Sequence, residues 1–127
     1  MGHFYVDCEI EHIRNAKKKV TVPHLLVDTG SEFTWISDDT LKKIGVKIEK
    51  KDVPFLMANG QTITRPMGFA IVTVGAFRTI DEIVFAEPGD LQLLGSRTVE
   101  GFGAMVDARG KRLVVSGPIP AAATVMR

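Results

Sequence analysis

The chain has 127 residues, 45% hydrophobic and 24% charged, and its mean hydropathy is +0.11. A net charge of +1 makes no electrostatic case for a nucleic acid or a membrane as partner. The length predicts one domain over 1–127 that buries a core without staples, and Cys8 alone excludes an intrachain disulfide and fits a reducing compartment.

No 18-residue apolar run occurs, and "MGHFYVDCEI" is charged by its seventh residue, so a cytoplasmic protein is the expectation. Phe4 to Ile13 alternates loosely and is rich in β-formers, and Val20 to Val27 follows it. Between them Arg14 to Lys19, with the run Lys17-Lys18-Lys19, reads as a solvated hairpin loop. Asp38 to Ile44 has a Ser/Asp start and stops at Gly45, the order a short helix requires. Phe55 to Met57 and Thr62 to Thr64 flank Asn59-Gly60, a two-residue hairpin signal because both positions tolerate φ > 0. Phe69 to Val74 and Phe77 to Phe85 flank a second tight turn, Gly75-Ala76. Ser96 to Phe102 is a second helical piece, closed by Gly103. Arg109-Gly110-Lys111 then separates the arms of a third hairpin. The pattern predicts an all-β fold, a closed barrel with one or two short helices rather than a βαβ array. Only the tail "GPIPAAATVMR" is loosely specified.

The informative stretch is "HLLVDTGSEFTWIS", His24 to Ser37. Leu25 to Val27 read as an interior strand, yet the strand runs into Asp28, and a carboxylate there is costly unless something uses or satisfies it. Thr29, Gly30 and Ser31 supply what a reactive carboxylate needs. Gly30 lets the backbone turn tightly and bring its N–H near the acid. Thr29 and Ser31 add hydroxyls that fix the loop or bond the acid.

These residues resemble the active-site loop of aspartic peptidases, and the short chain is similar to their single-domain, retropepsin-like branch. Three further stretches agree in order and spacing. "FLMANGQTITRPMG" stands where that family carries its flap, a β-hairpin over the substrate, which implies substrate-binding roles for Met57, Ala58, Asn59, Gly60 and Gln61. "LQLLGS" matches the second hydrophobic-hydrophobic-Gly element, Leu93, Leu94 and Gly95. "RTVEGFGAMVDARGKRLVV" matches the closing helix and hairpin, so the resemblance spans residues 4 to 116. It implies an aspartic endopeptidase in which Asp28 is catalytic. Two carboxylates about 3 Å apart share one proton; the ionised one takes a proton from water while the protonated one polarises the scissile carbonyl. No cofactor and no metal are needed. Asp7, Asp38, Asp39, Asp52, Asp81, Asp90 and Asp107 all lack the Thr/Ser-Gly sequel, so the second carboxylate is expected from another copy, in a two-fold homodimer. The implied partners are that second copy and a peptide or protein substrate, with no nucleic acid and no membrane. The family's Arg directly after the second Gly is displaced here: Ser96 follows Gly95, and Arg97 comes next. A partly buried pair with Glu32, worth several kcal/mol, is the expected substitute.

Blander readings stand beside these. Asp28 at a strand end also serves to cap a turn, and Phe33 and Trp35 read as core or pocket wall. Met57, Met67 and Met105 read as packing residues, with Met57 also placed to face a substrate. His3, His12 and His24 show no ligand spacing with each other or with Cys8. The alternative function is a catalytically silent retropepsin-like module that binds peptides or dimerises, because fold does not fix activity.

Overall fold

The computed structural model describes residues 3–121. The elements are β1 (Phe4–His12), β2 (Asn15–Val27), β3 (Thr34–Ser37), α1 (Asp38–Lys43), β4 (Lys50–Leu56), β5 (Thr62–Val74), β6 (Phe77–Ala86), β7 (Leu93–Leu94), α2 (Ser96–Gly101), β8 (Ala104–Asp107) and β9 (Arg112–Val115). Seven strands pair in the order β1-β2-β7-β3-β6-β5-β4, and β1 also pairs with β5. That extra pairing, Glu9↔Thr73 to Glu11↔Ile71, closes six strands into a ring and leaves β4 attached outside it through β5. The fold is mostly β with two short helices, as the sequence predicts.

The first hairpin differs from expectation. Its turn is only Ile13-Arg14, and the lysine run lies inside β2, with Glu11 opposite Lys19. The lysines alternate with no apolar residue, yet pairing with β1 holds them extended at the surface. Where β2 carries Pro23 and His24 against Asp7 alone, a bulge forms. His24 takes φ 54° there, and its N–H donates to Asp7 Oδ1 at 3.0 Å.

α1 ends as the sequence requires. Gly45, at φ 78°, donates to the Lys42 carbonyl and Val46 to the Leu41 carbonyl, satisfying carbonyls the helix end leaves free. Its start is different: Ser37 is the cap position but its side chain makes no capping bond, and Asp38 and Asp39 in the first turn complement the dipole instead.

Two apolar clusters flank the middle of the sheet. Because side chains alternate along a strand, Ile83 and Phe85 face the main core with Leu25, Val27, Ile36 and Leu94. Val84 and Ala86 face a smaller cluster with Trp35, Met67 and Leu93. All four residues of β6 from Ile83 to Phe85 and on to Ala86 are therefore buried, since both faces are covered. Of the methionines, Met67 is buried, Met57 is partly buried, and Met105 is exposed rather than packed. Cys8 is fully buried, and burial pushes its thiol up to about 12.

Candidate active site

Strand alternation decides where Asp28 points. Val27, opposite Leu94, belongs to the main core, and Leu26, opposite Leu93, packs on the smaller cluster. One residue further on, Asp28 donates its N–H to the Leu94 carbonyl at 3.0 Å, and its side chain comes out on the Leu26 side, where the smaller cluster forms the floor of a cleft. The chain then turns at once. Ser31 donates its N–H to the Asp28 carbonyl at 3.1 Å, and Gly30 donates its N–H to Asp28 Oδ1 at 3.0 Å. A Cβ on Gly30 would stand 3.1 Å from that oxygen, a tight contact to which the carboxylate would have to yield by a few tenths of an ångström. Ser31 Oγ donates to the Phe33 carbonyl at 3.3 Å and so fixes the loop. Among the described residues Thr29 makes no side-chain hydrogen bond; it stands exposed beside Gly30.

The second motif lies directly against this loop. Ser96 donates to the Ser31 carbonyl at 2.8 Å and Arg97 to the Glu32 carbonyl at 3.0 Å. Gly95 is required there by space. A Cβ at this position would overlap the Phe33 carbonyl, 2.6 Å from its carbon and 2.7 Å from the Glu32 oxygen. Beneath the contact runs a chain of hydrogen bonds that reading the motifs misses. The Gly95 N–H donates to Thr34 Oγ1 at 2.9 Å, the Thr34 and Thr98 hydroxyls meet at 2.6 Å, and Thr98 donates to Asp81 Oδ2 at 2.8 Å. Since the Thr98 proton goes to the carboxylate, the Thr34 hydroxyl donates to Thr98, and each hydroxyl accepts one bond and donates one. Both threonines are fully buried. A polar residue inside the β-former run "FTWI" is the one sequence signal that marks Thr34.

Glu32 and Arg97 do pair, at 3.6 Å, but their side chains are 65% and 47% exposed. The expected partly buried pair is a surface pair, and such pairs contribute about 0–1 kcal/mol. Arg97 also lies over the Phe33 ring, 5.0 Å from its centre. The loop is braced by backbone hydrogen bonds and the buried threonines, which the one-residue displacement of Arg97 leaves intact.

β4 and the first half of β5 project from the ring as a hairpin over Asp28. Its turn is not the two-residue type that Asn59-Gly60 signals. Met57 donates to the Gln61 carbonyl and Gly60 to the Met57 carbonyl. Of the pair only Gly60 has positive φ, at 85°. This is the three-residue loop with a glycine bulge, closed by Asn59 Oδ1 accepting the Gln61 N–H at 2.9 Å. The hairpin's apolar underside, Phe55, Met57 and Ile63, packs on the smaller cluster.

Between hairpin and loop lies a cleft of about 680 Å³. Asp28, Phe33, Trp35, Phe55 and Leu91 are among its walls, with Met57, Ala58, Gly30, Ser31 and Leu93. Asn59, Gly60 and Gln61 form the exposed hairpin tip, Thr29 stands outside the cleft, and Leu94 and Gly95 support it from behind. A smaller cavity of about 260 Å³, lined by His12, Arg14 and Phe69 among others, shares no residue with it. Among the described residues no group of three or more His, Cys, Asp or Glu converges as metal ligands would. No described helix is long and apolar enough to cross a membrane.

A family model described as aspartyl protease matches residues 13–99. The span covers the Asp28 loop, the hairpin and the second motif, and is narrower than the 4 to 116 read from the motifs. A comparison with curated proteins gives no match.

Proposed function

The chain belongs to the aspartyl protease family, of the retropepsin-like type, and from that premise we propose that it is an aspartic endopeptidase whose catalytic group is a pair of Asp28 side chains, one from each of two copies. The observation that carries the reading is the placement of a single Asp-Thr-Gly carboxylate, half-buried, in the wall of an apolar cleft under a projecting hairpin. Hydrolysis of an amide by an activated water needs both a base and an acid. One half-site offers one carboxylate. A two-fold axis beside the exposed Thr29-Gly30 turn brings two identical carboxylates together. Like charges at that range share one proton, so the ionised Asp28 takes a proton from the water and its neighbour hydrogen-bonds the scissile carbonyl. Gly30 N–H on Oδ1 fixes the orientation of each carboxylate. The extended substrate lies between hairpin and loop, with apolar side chains against Phe33, Trp35 and Phe55. Met57, Ala58, Asn59, Gly60 and Gln61 close over it.

The test is cleavage of an unstructured protein from pH 4 to 7 by wild type and Asp28→Asn, with mass in solution measured alongside. The expected outcome is a bell-shaped rate belonging to the pair, abolished in Asp28→Asn while the dimer persists. Activity retained in Asp28→Asn, or in a sample shown to be monomeric, overturns the reading. A dimer that binds peptides without cutting them establishes the silent module instead.

A further inference from the structure

The hairpin over the cleft is rooted at Met67, the residue of β5 that pairs both with Lys50 of β4 and with Val84 of β6. Beyond Met67 towards the tip, the strand pairs with β4 alone. Two residues out from that root stands Arg65. Across the cleft mouth, the connection between β6 and β7 folds as a turn in which Asp90 donates its N–H to the Glu87 carbonyl at 2.9 Å. Asp90 and Leu91, next to each other on this connection, line the cleft, and Leu91 is 61% exposed.

Arg65 reaches from the hairpin to this connection. Its Nε donates to Asp90 Oδ2 at 2.7 Å and its Nη2 to Oδ1 at 2.9 Å, a two-pronged contact with both side chains about seven-eighths buried. Nη1 donates to the Thr64 carbonyl at 2.8 Å, and Glu87 donates its N–H to Asp90 Oδ2 at 2.7 Å. Glu87 Oε1 stands a further 3.6 Å from Nη2. Each partner is thus held by its own segment before it meets the other. The guanidinium hydrogen bonds hold the Asp90 carboxyl below the usual carboxylate range, and the carboxylate raises Arg65 in turn. A fork on a carboxylate is directional as well as strong. It fixes an angle between two segments, which a lysine's point charge does not.

We propose that Arg65 and Asp90 are positioning residues: their pair latches the root of the β4–β5 hairpin to the β6–β7 connection and so sets the cleft width and the place of Leu91 in its wall. The consequence for catalysis rests on the peptidase reading above; the latch itself does not. With the root held, opening is confined to the part beyond Arg65, and the wall at Leu91 keeps its distance from the hairpin when a peptide enters. A change of angle at the root is carried to the far end of the hairpin, so a peptide meets Phe55 and Leu91 at an altered separation and binds less well. A separate tie of the connection lies away from the hairpin: Gln92 Oε1 accepts the Ser37 N–H at 2.9 Å.

The experiment has two arms. Amide hydrogen exchange is followed in wild type, Asp90→Asn, the milder Arg65→Lys and the double variant. In the wild type, Thr62–Arg65 and Glu87–Asp90 are expected to open together at one rate. Each single variant is expected to speed both segments at least about tenfold while Ile83–Phe85 stays unchanged, and the double variant to be no faster than the faster single. Two unrelated wild-type rates, variants that leave the hairpin's exchange unchanged, or effects that add in the double variant each overturn the latch. The second arm measures peptide cleavage: KM is expected to rise about tenfold in both single variants with kcat moved less. A fall in kcat with KM unchanged overturns the role in positioning substrate. If the wild type cleaves nothing, the peptidase reading fails, and the exchange arm still decides the latch.

Discussion

Replacing Gly95 by alanine isolates the contact on which the active-site loop rests. Gly95 has φ −93° and ψ 175°, a conformation alanine adopts freely, so the substitution brings no backbone strain of its own. Its cost is overlap. The new Cβ would fall on the Phe33 and Glu32 carbonyls, and backbone atoms do not step aside as a side-chain tip does. Overpacking of this kind costs about 1–3 kcal/mol. Separating the segments also weakens the Ser96–Ser31 and Arg97–Glu32 backbone bonds, at about 0.5–1.5 kcal/mol each. The sum, about 2–6 kcal/mol, is a large part of the roughly 5–15 kcal/mol that holds a domain folded. At about 3–4 °C per kcal/mol for a chain of this size, the thermal midpoint is expected to fall by roughly 6–24 °C. Circular dichroism melts measure it, with Gly75→Ala as the contrast: Gly75 has open space but φ 58°, so only conformational strain of about 1–2 kcal/mol is expected. A Gly95→Ala midpoint within about 3 °C of wild type, or below which Gly75→Ala melts first, would refute the close approach of the two motifs.

Thr98→Val keeps the shape of the buried hydroxyl chain and removes its middle member, leaving the Thr34 proton without an acceptor; urea unfolding is expected to show a loss of about 1–3 kcal/mol. Glu32→Gln breaks only an exposed pair, so the same assay is expected to show less than about 1 kcal/mol, and a loss of several would restore the pair as a brace. Asp90 has its carboxyl lowered in the folded chain, chiefly by hydrogen bonds from Arg65. The unfolded chain therefore binds that proton first on acidification, and the stability Asp90 contributes is present above about pH 4 and lost as pH falls through its folded value. Midpoints of wild type and Asp90→Asn are expected to converge on going from pH 6 to pH 3; a gap that widens in acid contradicts the assignment.

The local chemistry of this protein was written along the chain. Alternation of apolar residues marked the strands, Gly45 and Gly103 ended the helices, and Asp28-Thr29-Gly30-Ser31 in its apolar context marked the loop, because each depends on residues a few positions apart. Hairpin geometry was only half legible. Asn59-Gly60 signals a turn, but the bond from Met57 to Gln61 selects the three-residue form, and Lys17-Lys18-Lys19 are strand because β1 lies beside them. What the tertiary structure alone decided is contact between distant segments. Thr34 meets Thr98 across 64 positions and Arg65 meets Asp90 across 25. Closure of the ring depends on β1 reaching β5. The exposure of Glu32 and Arg97 likewise follows from where α2 sits, not from their spacing. Neither propensity nor period encodes such meetings: they arise when burying two apolar faces forces the segments together, and the polar groups carried inward must then find one another.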